Sequence, residues 1–144
     1  KRVTTQIAKA LKDAEKLGIV NPVAGTPQGD AFYNSLSKRI NKSLGGQSLR
    51  RSKVIARTET LKATSWARER AAKATGKTLE KEWVSMRDDR VREAHNRLDN
   101  QRVPMDSFYM YNGKKLDFPG DPKAPADLVI NCRCTEAFME IIDE

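Results

Sequence analysis

The chain is poor in the residues that most often carry chemistry. Its 144 residues include one histidine, His95, and two cysteines, Cys132 and Cys134. Two cysteines separated by one residue make no secreted disulfide framework. In an extended strand, residues i and i+2 sit roughly 6.5–7 Å apart on one face, at or past the reach of a relaxed disulfide. Reduced thiols in a cytoplasmic setting are the expectation. No run of about 18 apolar residues occurs, so no helical membrane span is expected. No signal peptide is visible. A Gly-rich phosphate loop, a nucleophile elbow and a helical zinc-protease pattern are all missing. No internal repeat or low-complexity tract stands out. Because residue 1 is lysine, the sequence reads as an excerpt of a longer protein.

Charge, by contrast, is plentiful. Charged residues make up 32% of the chain and the net charge is +8. It is unevenly spread. Residues 1–77 hold 17 Lys+Arg against 5 Asp+Glu, or +12, and residues 78–144 hold 10 against 14, or −4. A basic half joined to a mildly acidic one suits a polyanionic neighbour such as non-specifically bound DNA. Solvated helix faces explain the same charges, and both readings stand. Basic helices without interleaved aromatics are weak evidence for nucleic acid.

Apolar spacing orders the N-terminal half into helices. Val3, Ile7, Ala10, Leu11, Ala14 and Leu17 form a stripe that ends at Gly18. A Pro/Gly loop follows, then a second helix over residues 30–44 with Phe32, Leu36, Ile40 and Leu44 on one face. Gly45-Gly46 breaks it. A long helix is expected over residues 48–75, ending before Gly76. Val54, Thr58, Leu61, Ser65 and Ala72 trace its packing face, with Ile55 and Trp66 beside it. Arg50, Arg51, Lys53, Arg57, Lys62, Arg68, Arg70 and Lys73 form an opposing basic face.

Beyond Gly76 the pattern turns mixed. Residues 79–86 read as a strand around Trp83. Asp88 is a good N-cap for a helix over residues 89–98, on which Val91, His95 and Leu98 share a side. His95 therefore faces the interior. Asn112-Gly113 between Phe108, Tyr109, Met110, Tyr111 and the segment 114–118 is a strong hairpin signal, because a type I′ turn needs positive φ twice. An irregular Pro-rich loop follows. Residues 127–132 return to the core, and residues 134–142 alternate as a last strand.

Three constellations carry candidate chemistry. His95, Cys132 and Cys134 are zinc-ligand types. They converge if the last strand starts beside the short helix, with a carboxylate (Asp88, Asp89 or Asp99) or water as fourth ligand. Cysteines packed as small hydrophobes beside a hydrogen-bonded core histidine are the favoured reading, because Cys-x-Cys lacks the spacing of common structural zinc sites. Arg57, Thr58, Glu59 and Thr60 on the long helix suit an active site, or ion pairs that fix the helix to a sheet. Asp88, Asp89, Arg90, Arg92 and His95 offer acid–base groups for RNA cleavage, or simply a capped helix with exposed arginines.

The order of these pieces over residues of about 50–140 resembles the phage Mu F-like minor head protein family, also called phage head morphogenesis proteins. The resemblance rests on Ile55-Ala56-Arg57-Thr58-Glu59-Thr60, Gly76, and Lys81-x-Trp83. It continues through Asp89-x-Val91-Arg92-x-x-His95, Leu98, Val103, Phe108, Pro119-Gly120-Asp121-Pro122 and Asn131-Cys132-Arg133-Cys134. Asn100 departs from the family's glycine after the Leu-Asp pair, but asparagine tolerates positive φ. The resemblance implies a structural virion protein, present in few copies, associated with portal or capsid and linked to head assembly or DNA delivery. It implies no enzyme activity and no cofactor, so zinc enters only through the Cys/His cluster. It implies localisation to the phage head, and to the host cytoplasm during assembly. Related modules fused to toxins keep an alternative open: a delivered nuclease or transferase domain using His95, Arg57 and Glu59. The expected fold class is α+β. Residues 1–47 form a helical extension, and residues 48–144 a phage Mu F-like domain of a long helix (48–75) packed on a small module (78–144). Oligomeric state is not legible.

Overall fold

The computed structural model describes residues 1–19, 22–46 and 48–142. Five helices and five strands follow in the order α1 (Arg2–Lys16), α2 (Pro27–Ser43), α3 (Leu49–Ala74), β1 (Leu79–Val84), α4 (Glu93–Leu98), β2 (Arg102–Pro104), β3 (Tyr109–Tyr111), β4 (Lys114–Leu116), α5 (Ala126–Val129) and β5 (Thr135–Glu140). The chain divides into two compact units, residues 1–60 and 61–144, with α3 running through the boundary. The fold is α+β.

The first unit is held by apolar contacts between helices. Ile7, Ala10 and Ala14 on α1 join Phe32, Leu36 and Ile40 on α2 and Ala56 on α3 in one buried cluster. On α1 and α2 these are the stripes that the spacing predicts. On α3 the buried positions are Ser52, Ala56, Thr60, Ser65, Glu69 and Ala72, so of the expected face Val54, Thr58, Leu61, Ser65 and Ala72 only the last two are buried. The start of α2 is fixed by Thr26, whose hydroxyl accepts the Gly29 N–H at 3.1 Å, and by Pro27 in the first turn. A Cβ at Gly29 would lie 1.8 Å from the Val23 carbonyl oxygen, so only glycine fits this corner. The buried Tyr33 hydroxyl donates to the Pro22 carbonyl at 3.0 Å.

The second unit centres on a three-stranded antiparallel sheet of order β2-β1-β5. Trp83 pairs with Glu136, and Lys81 pairs with Phe138 on one side and Val103 on the other. The inward face of β1 thus carries Lys81 and Trp83, both fully buried. The C-terminal half of α3 covers this face. Arg68 lies over the Phe138 ring and donates to the Thr135 hydroxyl at 2.5 Å and to the Glu136 carbonyl at 2.9 Å. Arg68 therefore belongs to packing rather than to the solvated basic face expected of it. Trp66 shows the reverse: it is 53% exposed, with Arg70 stacked on it, and does not join the packing face.

The β3–β4 hairpin forms at Asn112-Gly113, with φ of 46° and 73°. Asn100 takes φ 64° between α4 and β2, the left-handed turn its side chain tolerates. The Pro119–Pro122 loop is held by the buried Asp121, whose carboxylate accepts the Asp117 and Lys123 backbone N–H groups, each at 2.9 Å. A Cβ at Gly120 would come within 3.2 Å of the Lys62 backbone nitrogen, so this loop can approach α3 closely.

The short helix differs from the sequence reading. It begins at Glu93, with Arg92 as N-cap, and not at Asp89 with Asp88 as cap. The Asp88 carboxylate is instead gripped by both terminal nitrogens of Arg133, at 2.6 and 2.7 Å, and accepts the Arg90 N–H at 3.1 Å. That long-range pair holds residues 88–91 in a turn, leaving Val91 outside the helix. The last strand likewise starts at Thr135, so both cysteines precede it.

A buried histidine–cysteine cluster as the candidate functional site

His95 sits on α4 with only 3% of its surface exposed. The residues just before β5 bring Cys132 and Cys134 to it, at 4% and 3% exposure. Both thiols are free. His95 Nε2 lies 2.8 Å from the Leu128 carbonyl on α5, so Nε2 carries hydrogen and donates. This leaves Nδ1 facing Cys132 Sγ at 3.8 Å. The Cys134 backbone N–H donates to Cys132 Sγ at 3.3 Å. One donor atom from each of the three residues lies within 4.8 Å of the others. The proximity expected from sequence is thus observed, although the thiols come from a loop and not from the strand.

Arginines and an aromatic wall close the site. Trp83 lies beside the His95 ring, centroids 5.8 Å apart, and meets Tyr109 edge-on at 5.2 Å. The buried Trp83 indole N–H has no oxygen or nitrogen acceptor, and the Cys134 sulfur lies within its electrostatic reach. Arg92 donates to the Ile130 carbonyl, tying the start of α4 to the end of α5. Hydrogen bonding from Cys134, aided by His95 and against the effect of burial, holds the Cys132 thiol well below the usual thiol range. Cys134 is pushed up by its hydrogen bond to Cys132 and by burial. Burial alone would lower His95, but its contacts with Cys132 and Leu128 raise it.

The other candidate residues scatter. Asp89 is exposed and Phe108 is 46% exposed beneath Lys115. Asn131 takes φ 56° in the turn that delivers Cys132. Arg133 is committed to Asp88, whose carboxyl this guanidinium holds down at about 2. Arg57, Thr58 and Glu59 are half-buried on the first half of α3, and none is without a partner. Clefts occur instead at a polar edge lined by Glu93, Arg97, Met110, Tyr111 and Asn112, and beside Leu17, Ile19, Pro22, Val23 and Thr26. His95 and Glu59 line neither of these.

One polar cluster escaped the sequence reading. Lys81 Nζ donates to Glu69 at 2.6 Å, to the Asp117 carbonyl at 2.6 Å and to the Asp117 carboxylate at 2.9 Å. All three of its donors are therefore met. Beside it, the Tyr109 hydroxyl donates to Glu136 at 3.1 Å, while the second Glu136 carboxyl oxygen has no hydrogen-bond partner. Burial, with Glu69 nearby, pushes Glu136 up to about 8. The available signal was alternation along β1, which puts Lys81 on the same face as Trp83.

The sequence matches the family described as Phage Mu protein F like protein over residues 4–137. The chain belongs to the Phage Mu F-like family. The match starts within α1, so it includes the N-terminal helices that the motif-by-motif resemblance leaves out. Among curated proteins and among solved structures, none matches the chain. Phage Mu F-like membership marks it as a phage head morphogenesis protein of a structural family. No described helix is long and apolar enough to cross a membrane.

Proposed function

We propose that this Phage Mu F-like chain is a structural component of the phage head that docks on portal or capsid through protein–protein contacts, close to packaged DNA. The family match over residues 4–137 carries this reading. The chemistry of the chain supports it. A general acid–base role needs a group within reach of substrate, and His95 is buried with Nε2 committed to a backbone carbonyl. The rival reading, a delivered nuclease or transferase domain, requires an open cleft at His95 or Glu59. The DNA component rests on the basic N-terminal half, where Arg50, Arg51, Lys53, Arg70 and Lys73 are exposed along α3. Such contact is sequence-independent and weakens steeply with salt, because phosphate contacts release counterions. The protein assembles in the host cytoplasm and ends in the virion.

Electron microscopy of virions carrying a labelled copy tests the reading. Label concentrated at one head vertex, in few copies, is expected. Absence of label from purified virions would overturn it. Anisotropy titration of the full chain with unrelated duplex DNAs tests the DNA component separately. Equal binding to each duplex at low salt, lost at higher salt, is expected; no binding at low salt would remove DNA from the proposal.

A further inference from the structure

We propose that His95 Nδ1, Cys132 Sγ and Cys134 Sγ form a zinc site that ties α4 to the segment leading into β5. Geometry is the first argument. Zinc–sulfur and zinc–nitrogen bonds of about 2.3 and 2.0–2.1 Å at a tetrahedral centre put a sulfur and a nitrogen ligand about 3.6 Å apart. Cys132 Sγ and His95 Nδ1 are 3.8 Å apart, and the three donors fit within 4.8 Å. Closing on an ion therefore needs a shift of a few tenths of an ångström for the Cys132–His95 pair and of no more than about 1 Å for the widest pair.

The surroundings are the second argument. A metal-bound histidine usually gives its other ring N–H to a carbonyl or carboxylate, which fixes the ring. Leu128 provides that carbonyl, so Nδ1 turns its lone pair toward the thiols. The Cys134 N–H already points at the Cys132 sulfur. The buried Trp83 indole N–H has no hydrogen-bond partner among the described residues, and its ring lies 5.8 Å from that of His95 at the same cluster. A thiolate is a far better acceptor than a thiol, so metal binding strengthens the contact from the Cys134 N–H. Two thiolates and one divalent ion carry no net charge. Such a centre suits a site this dry, where an uncompensated charge would be costly.

Among the described residues no carboxylate joins the set. Asp88 is taken by Arg133 and Arg90. Asp99 accepts the Ser85 N–H and pairs with Arg87, each at 2.8 Å. Asp89 is exposed. Three protein ligands leave the fourth position to water. With His95, Cys132 and Cys134 only 3%, 4% and 3% exposed, that water is enclosed and no substrate reaches the ion, so the role is structural: it cross-links α4 to the segment leading into β5.

The test uses the full chain, produced in zinc-supplemented medium and purified anaerobically without chelator. Elemental analysis should find close to one equivalent of zinc. After chelation, titration with cobalt should produce a thiolate-to-metal charge-transfer band that saturates near one equivalent. His95→Gln and Cys134→Ser should each lower zinc occupancy at equal free zinc by at least about tenfold. The cobalt titration of the unmodified chain needs no variant to fold. Zinc far below one equivalent, with both thiols titrating as free and no cobalt band, would overturn the site in favour of a thiol–imidazole hydrogen bond. Copper in place of zinc would overturn the assignment of the ion.

Discussion

The two units of this chain solve the burial problem in opposite ways. Residues 1–60 bury aliphatic and aromatic side chains at helical spacing, and the polar side chains buried with them, Ser37, Ser52 and Thr60, are uncharged. Residues 61–144 also bury large apolar side chains, among them Trp83, Tyr109 and Leu116, but pack Lys81, Glu69, Glu136, His95 and Asp121 alongside them. The helical unit depends on shape, so its stability falls smoothly with volume lost. The mixed unit depends on each polar group meeting its partner. A partner removed there leaves a desolvated charge behind, which costs more than a cavity does.

Lys81→Met should give the largest effect. It strands Glu69 and removes the ligand of both Asp117 oxygens, at a cost of about 4 kcal/mol in the second unit. Both tryptophans, Trp66 and Trp83, lie in that unit, so urea melts followed by tryptophan fluorescence read it directly. A loss below about 1 kcal/mol would mean that the ammonium is dispensable and that the contrast drawn here is wrong.

Leu36→Ala probes the other unit. Leu36 is fully buried between α1 and α2, and truncation should cost about 3 kcal/mol as a cavity. Hydrogen exchange should report lost protection in α1 and α2. Unchanged protection there would show that the helical unit is not held by this cluster.

Glu136→Gln sharpens the comparison through pH. The folded-state value near 8 lies above the ordinary 4.5, so between those values the folded chain holds a proton that the unfolded chain has lost. The associated stability is present at low pH and is lost as pH rises through about 8. Glu69, Lys81, Tyr109 and Arg68 face the carboxyl and set this balance. The unmodified chain should lose about 2 kcal/mol more than the Gln variant between pH 6 and pH 8. Equal slopes for the two chains would show that Glu136 is already ionised when folded.

What local periodicity encodes was readable in advance. The three N-terminal helices, the hairpin at Asn112-Gly113 and the left-handed turn at Asn100 depend on residues a few positions apart, and they appear close to where the sequence puts them. The inward aspect of His95 was likewise legible, from the positions of His95 and Leu98 on one helical side. The start of α4 was not, because Asp88 is claimed by Arg133, 45 residues away, and a cap competes poorly with a bidentate ion pair. Nor was the meeting of Lys81 with Glu69 and Asp117, since β1, α3 and the hairpin end are brought together only by folding. The sequence by itself determined the α+β class, the apolar stripes of α1 and α2, the tight turns and the family. Tertiary structure alone decided which charges are buried and which side chains meet. The physical reason is range: propensity and turn chemistry act between neighbours, whereas burial of a charge depends on a partner that arrives from elsewhere in the chain.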